Sequence, residues 1–263
     1  MRFKKLFFIH VIVIALNFSF LVYAWDEFGN LPQYLERDHF VIYHDNRILA
    51  NELSWKAEYY YKQILRHLNV ENFDPFREKP CPIYLYKNHE QYVENSGAPS
   101  WSVGIAKQEP LCFATYERAK NVEHTVFPHE LTHLMLFVFF DGQSIPRWLN
   151  EGLAEYEEAD FGKTEKPFLK RRVKNGYYIK LEDLFSMRSY PVDDEELRLF
   201  YAESASVVEF LKDENLGQCF GEFLLEIKKG TDAQTALKEI YQWKFSGGIK
   251  ELEKKWIESL GIR

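Results

Sequence analysis

Apolar residues along this chain change their spacing near residue 121. Before that point short runs of branched and aromatic residues are separated by polar turns. His39 to Tyr43 (HFVIY), Pro82 to Tyr86 (PIYLY), Ser102–Ala106 and Leu111–Tyr116 read as strands, the last two joined by a polar turn at Lys107–Pro110. Ile48 to Leu68 repeats its apolar positions every three or four residues, which predicts an amphipathic helix. After residue 121 the period is helical almost throughout. Helices are predicted over 125–140, 146–158, 198–213, 217–228, 232–242 and 248–260, with Pro146, Pro191, Gly217, Gly230 and Gly247-Gly248 between them. Strands first and helices afterwards define an α+β fold: a small mixed sheet lobe with helices over 25–118, then a mainly helical lobe over 119–263.

The first 24 residues stand apart from both lobes. Arg2, Lys4 and Lys5 precede an apolar run from Leu6 to Tyr23, and Val22-Tyr23-Ala24 offers small residues where a signal peptidase cuts. Residues 1–24 are therefore expected to be a signal peptide. The alternative is an N-terminal anchor, since the run approaches the length of a membrane span, although His10, Asn17 and Ser19 weaken it. Either reading makes the protein exported, secreted or periplasmic, with membrane contact only through an uncleaved leader.

Charge and cysteine content narrow the class further. The chain carries 33 Lys+Arg against 40 Asp+Glu, a formal charge of −7. Losing the three positive charges of the leader leaves −10. Such a surface repels phosphate backbones and excludes nucleic acid as a partner. The basic stretch Lys170-Arg171-Arg172-Val173-Lys174 reads as a solvated helix face. Cys81, Cys112 and Cys219 form no Cys-x-x-Cys spacing, so thiolate metal ligation is not expected. In an oxidising compartment Cys81 and Cys112 are the better pair for a disulfide.

Chemistry concentrates in the run VFPHELTHLMLFVFF. Within His129-Glu130-Leu131-Thr132-His133 the two histidines are four positions apart. On a helix they share a face, so both imidazoles can converge on one ion. Zinc accepts neutral imidazole nitrogen, and two ligands on one rigid helix arrive preorganised. Glu130 falls beside that face, within reach of a water at the ion, where it can act as general base. Pro128 is tolerable in the first turn, with Thr125 expected as the cap. A His-Glu-x-x-His run arises by accident in roughly a few per cent of chains of this composition. A second signal is therefore needed.

That signal is Pro146-Arg147-Trp148-Leu149-Asn150-Glu151-Gly152-Leu153-Ala154-Glu155-Tyr156. WLNEGLAEY resembles the second zinc helix of the gluzincin peptidases, the thermolysin and aminopeptidase N-type members of the peptidase MA-like group. The resemblance implies a thermolysin-like catalytic core in which residues 25–263 form one unit. It makes Glu151 the third ligand, completing a His129/His133/Glu151 site for one Zn2+ per chain with a fourth position left for water. It also implies that Glu155, one turn later, accepts a hydrogen bond from His129 and fixes its orientation. Family members often carry Asp at that offset.

A weaker likeness involves Leu199-Phe200-Tyr201-Ala202-Glu203-Ser204. It resembles the aminopeptidase segment that supplies an active-site tyrosine, and so implies that Tyr201 stabilises the oxyanion. The chain has 16 tyrosines, so packing competes with that role, and Tyr156 and His124 are alternatives. The resemblance covers about residues 102–212. GTDAQTALKEIY and KELEKKWIESL are also similar to the helical tail of small exported members. One departure matters: aminopeptidases grip the substrate's amino terminus through a Gly-Ala-Met-Glu-Asn segment. The nearest text here, Gly97-Ala98-Pro99-Ser100-Trp101, lacks the acid. The expected partner is a peptide or protein substrate, bound by strand addition along Leu111–Tyr116. Two rival readings remain open: a non-catalytic zinc-stabilised module of the cell envelope, and an inert envelope fold without metal.

Overall fold

The structure, a computed structural model, describes residues 31–159, 161–213 and 219–262. The leader at 1–24 and the first residues of the helix predicted from 217 lie outside the described residues. Among the described residues there are five strands, β1 (Gln33–Glu36), β2 (Phe40–His44), β3 (Cys81–Tyr86), β4 (Gly104–Gln108) and β5 (Leu111–Tyr116). They form one mixed sheet in the order β1-β2-β3-β5-β4. The central strands β2, β3 and β5 run parallel, and the outer β1 and β4 are antiparallel to their neighbours. The fold is α+β.

Ten α-helices accompany the sheet: α1 (Arg47–Leu68), α2 (His89–Ser96), α3 (Phe127–Phe139), α4 (Arg147–Tyr156), α5 (Lys166–Lys174), α6 (Leu181–Ser186), α7 (Asp194–Leu211), α8 (Cys219–Lys228), α9 (Ala233–Tyr241) and α10 (Ile249–Ser259). α1 starts where Asn46 accepts hydrogen bonds from the N–H groups of Ile48 and Leu49, and it stops at left-handed Asn69. Its buried positions, Ala50, Leu53, Ala57, Tyr61, Ile64 and Leu68, recur every three or four residues and face the sheet. α5 buries Phe168, Leu169 and Val173 and turns Lys170, Arg171 and Lys174 to solvent.

Four expectations are corrected by tertiary pairing. β4 begins two residues later than the pattern suggested, because Gly104 pairs with Thr115 and the hairpin closes after Gln108. β5 is an interior strand, bonded to β3 on one side and β4 on the other, so it has no free edge for a peptide. The edge strands are β1 and β4, and β4 is the one beside β5. Thr125 does not cap the helix: a π-helical turn at Val122–Val126 runs straight into α3, and Pro128 falls in its first turn.

Cys81 and Cys112 are both buried and form no disulfide. The register Ile83↔Phe113 sets Cys112 opposite Pro82, one residue away from Cys81. Neighbouring positions of a strand point to opposite faces of the sheet. Cys81 lies in the main core with Ile83 and Phe113. Cys112 is on the face that packs Tyr86, Tyr92 and Ala114. No rotamer joins them.

A single buried core runs through both lobes, from Phe40 on β2 to Leu260 after α10. α3 lies inside it, against β4, β5, α1 and α4, and only Phe137 and Val138 of its residues are partly exposed. α4 is held on its far side by α7. Gly152 permits that approach, since a Cβ there would stand 2.6 Å from the carbonyl oxygen of Ser204.

Two outcomes are expected. Gly152→Ala should cost about 1–3 kcal/mol through overpacking, read as a lowered midpoint in chemical denaturation; an unchanged midpoint would show that α7 gives way freely. Alkylation of the unfolded protein without reductant should label both Cys81 and Cys112, as peptide mass spectrometry would reveal.

Candidate metal centre

α3 carries His129, Glu130 and His133, and the two imidazole rings meet edge to face with centroids 4.8 Å apart. α4 crosses beside it and delivers Glu151. Glu151 Oε2 stands 3.8 Å from His129 Nε2 and 3.6 Å from His133 Nε2. One ligand atom from each residue lies within 4.8 Å of the others. Tetrahedral ligands at zinc-like bond lengths are about 3.4 Å apart, so each imidazole–carboxylate pair needs to contract by only a few tenths of an ångström.

These three atoms, His129 Nε2, His133 Nε2 and Glu151 Oε2, are buried and make no hydrogen bond within the protein. A buried polar atom left unpaired costs roughly 1–3 kcal/mol, and three converging on one point fit a cation. The surroundings orient each of them. His129 Nδ1 is 2.7 Å from Glu158 Oε1 and His133 Nδ1 is 3.2 Å from Asn150 Oδ1. Both acceptors hold the ring proton on Nδ1 and leave the Nε2 lone pair facing Glu151. Burial lowers the His133 pKa and keeps its ring in the neutral, ligating form. The Tyr190 hydroxyl donates to Glu151 Oε1 at 2.5 Å.

The partner of His129 differs from the one expected. Glu155 follows Glu151 by one turn, yet the hydrogen bond is made by Glu158. α4 ends at Tyr156, the following turn folds back, and the Ala159 N–H bonds the His124 carbonyl ahead of α3. That return lands Glu158 against His129. Glu155 stays in the same cluster, with a carboxylate oxygen within 4.8 Å of His129 and Glu158. Burial first, and the Glu158 charge second, push the Glu155 carboxyl well above the ordinary carboxylate range.

Glu130 is 7% exposed. Burial raises its pKa, opposed by His133 and His129, and the Ala106 N–H of β4 hydrogen-bonds its carboxylate. Tyr201, on α7, stacks on Tyr190 with centroids 6.2 Å apart. Burial and the Glu151 charge both raise its pKa, so its hydroxyl stays protonated. Of the alternatives, His124 is exposed and pairs with the Tyr60 hydroxyl at 3.1 Å, and Tyr156 packs against His67 and under Lys212.

Tyr190, Glu158 and Asn150 were not singled out from the sequence. Asn150 and Glu158 flank the motif residues without a spacing of their own. Tyr190 sits in a loop with no periodicity, and it meets α4 only in three dimensions, through its hydroxyl on Glu151 and through Arg147 against its ring, 4.1 Å from the centroid.

A mixed sheet backed by two helices that bring two histidines and a glutamate together is the architecture of a metallopeptidase. Residues 69–261 match the family model of the peptidase MA superfamily, and the chain belongs to that gluzincin-like group of peptidases. No curated protein matches the chain.

The two glutamates are separable by metal binding. Glu158→Gln should weaken divalent metal affinity about 10–100-fold, measured by competition with a chromophoric chelator, and Glu155→Gln should change it far less. Equal losses in both variants would return the orienting role to Glu155.

Proposed function

We propose that this protein is an exported zinc-dependent peptidase in which His129, His133 and Glu151 hold one Zn2+ and Glu130 is the general base. The observation that carries the reading is the meeting of three buried donor atoms with no protein partner within 4.8 Å of one another. Two imidazole nitrogens and one carboxylate oxygen suit zinc, whereas calcium and magnesium favour oxygen ligands throughout. Bound there, the ion supplies Lewis acidity toward a peptide carbonyl and brings a water's acidity near neutrality.

The chain's own groups account for the remaining steps. Glu130 follows His129 on the same helix, and burial makes its carboxylate more basic than one in water. It takes the proton of the attacking water at a carboxylate oxygen and returns it to the nitrogen of the departing amine. Its hydrogen bond to the Ala106 N–H puts it beside β4, one of the two edge strands of the sheet. An extended peptide added along that edge brings its main chain next to Glu130. Tyr201, protonated and close to Glu151, donates to the carbonyl oxygen as negative charge develops there.

A non-catalytic zinc-stabilised module is the second reading. Glu130 counts against it, because ligation alone has no use for a buried carboxylate whose charge is penalised by desolvation. Export rests on the leader at 1–24. No helix among the described residues is long and apolar enough to cross a membrane, so membrane contact is assigned to that leader if it is retained. The acidic charge keeps nucleic acid out of the partner list.

Glu130→Gln should keep one Zn2+ per chain by metal analysis and lose about 10²–10⁴-fold in kcat on casein-type substrates. His133→Ala should lose both metal and hydrolysis. Full activity in Glu130→Gln would overturn the assignment of the base. Tyr201→Phe should lower kcat by about 10²–10³ with little change in KM.

A further inference from the structure

Glu151 has two carboxylate oxygens, and the structure gives them different partners. Oε2 faces both imidazoles at 3.6 and 3.8 Å. Oε1 receives the Tyr190 hydroxyl at 2.5 Å. We propose that Tyr190 is a positioning residue which holds Glu151 as a one-oxygen ligand, and that Arg147 keeps Tyr190 in place. The inference rests on the reading of this site as a metal centre.

The need for such a device follows from local structure. Tyr190 lies between α6 and α7 with no secondary structure of its own. Three contacts fix its ring. The Arg147 guanidinium covers one face at 4.1 Å, Tyr201 stacks at 6.2 Å, and Phe200 meets it edge-on at 5.9 Å. Arg147 also donates from Nε and Nη2 to the Arg188 carbonyl at 3.2 and 2.9 Å, pinning the chain two residues before Tyr190. Arg147 and Glu151 are one turn apart on α4, so the ligand and the clamp that sets its second oxygen move as one rigid unit. While Oε1 accepts from Tyr190 it cannot swing to the ion, and a coordination position stays free for water and substrate. Without the hydroxyl both oxygens are available, and Glu151 can ligate through the pair.

The test uses full-length protein with Tyr190→Phe, which keeps the ring, its stacking and the Arg147 contact. Zn2+ affinity, read by chelator competition, should fall about 10–100-fold. The visible bands of the Co2+-loaded variant should weaken as the ion passes from four to five ligands. Arg147→Lys, which keeps the charge and loses the planar stack, should move both readouts the same way by a smaller factor. Melting of metal-free protein checks that Tyr190→Phe is folded; if it is not, Arg147→Lys carries the test. Unchanged affinity and an unchanged Co2+ spectrum overturn the inference and leave the metal centre standing. Weakened affinity with an unchanged spectrum overturns the one-oxygen claim. Wild-type protein that takes up neither ion overturns the metal reading and this inference with it.

Discussion

A buried carboxylate oxygen faces two buried imidazole nitrogens at less than 4 Å, and none of the three bonds to the protein. In a low-dielectric interior that is a costly grouping unless positive charge lies among them. Every other polar atom of the three side chains is engaged. Glu158 and Asn150 take the far nitrogens of His129 and His133, and Tyr190 takes the second oxygen of Glu151. Those contacts leave each side chain little freedom to turn away. The open ends of the three residues are therefore fixed by the closed ends.

The scaffold makes this possible by burying both helices almost completely. α3 is wedged between the sheet and α4, and α4 in turn lies against α7 at a distance that only Gly152 allows. Trp148, fully buried and stacked on Phe185 at 4.1 Å, anchors the start of α4. At the other end two consecutive acids reach in different directions. Glu157 accepts from Gln63 and pairs with His67 on α1, while Glu158 turns to His129 on α3. One short turn thus ties the second ligand helix to the first and to the long helix behind the sheet. Displacing α4 would break all of these contacts together.

Catalytic use of the site depends on the sheet as much as on the helices. β4 is an edge strand, and the N–H of Ala106 on it reaches Glu130. The strand main chain, Glu130 and the His129/His133/Glu151 cluster are consequently neighbours. The antiparallel turn from β4 to β5 is what brings a strand edge to the first turn of α3.

Much of this was legible in residue order because it depends on local periodicity. The four-residue spacing of His129 and His133, the apolar faces of α1, α3, α7 and α10, and the aromatic and branched runs of β2, β3 and β5 declare themselves within a few residues. β1, α2 and α6 escaped because they span eight residues or fewer, too short for a period to emerge, and of α5, mostly charged over its nine residues, only the basic face at 170–174 was read. Strand order, the opposite faces of Cys81 and Cys112, and the choice of Glu158 over Glu155 are different in kind. Each is set by which distant segment the backbone returns to, and a one-residue shift in pairing or one extra turn after a helix reverses the outcome. Tyr190 shows the limit most clearly. Nothing near it in the chain marks it, and it matters only because Arg147 and Tyr201, on two other helices, hold its hydroxyl against Glu151.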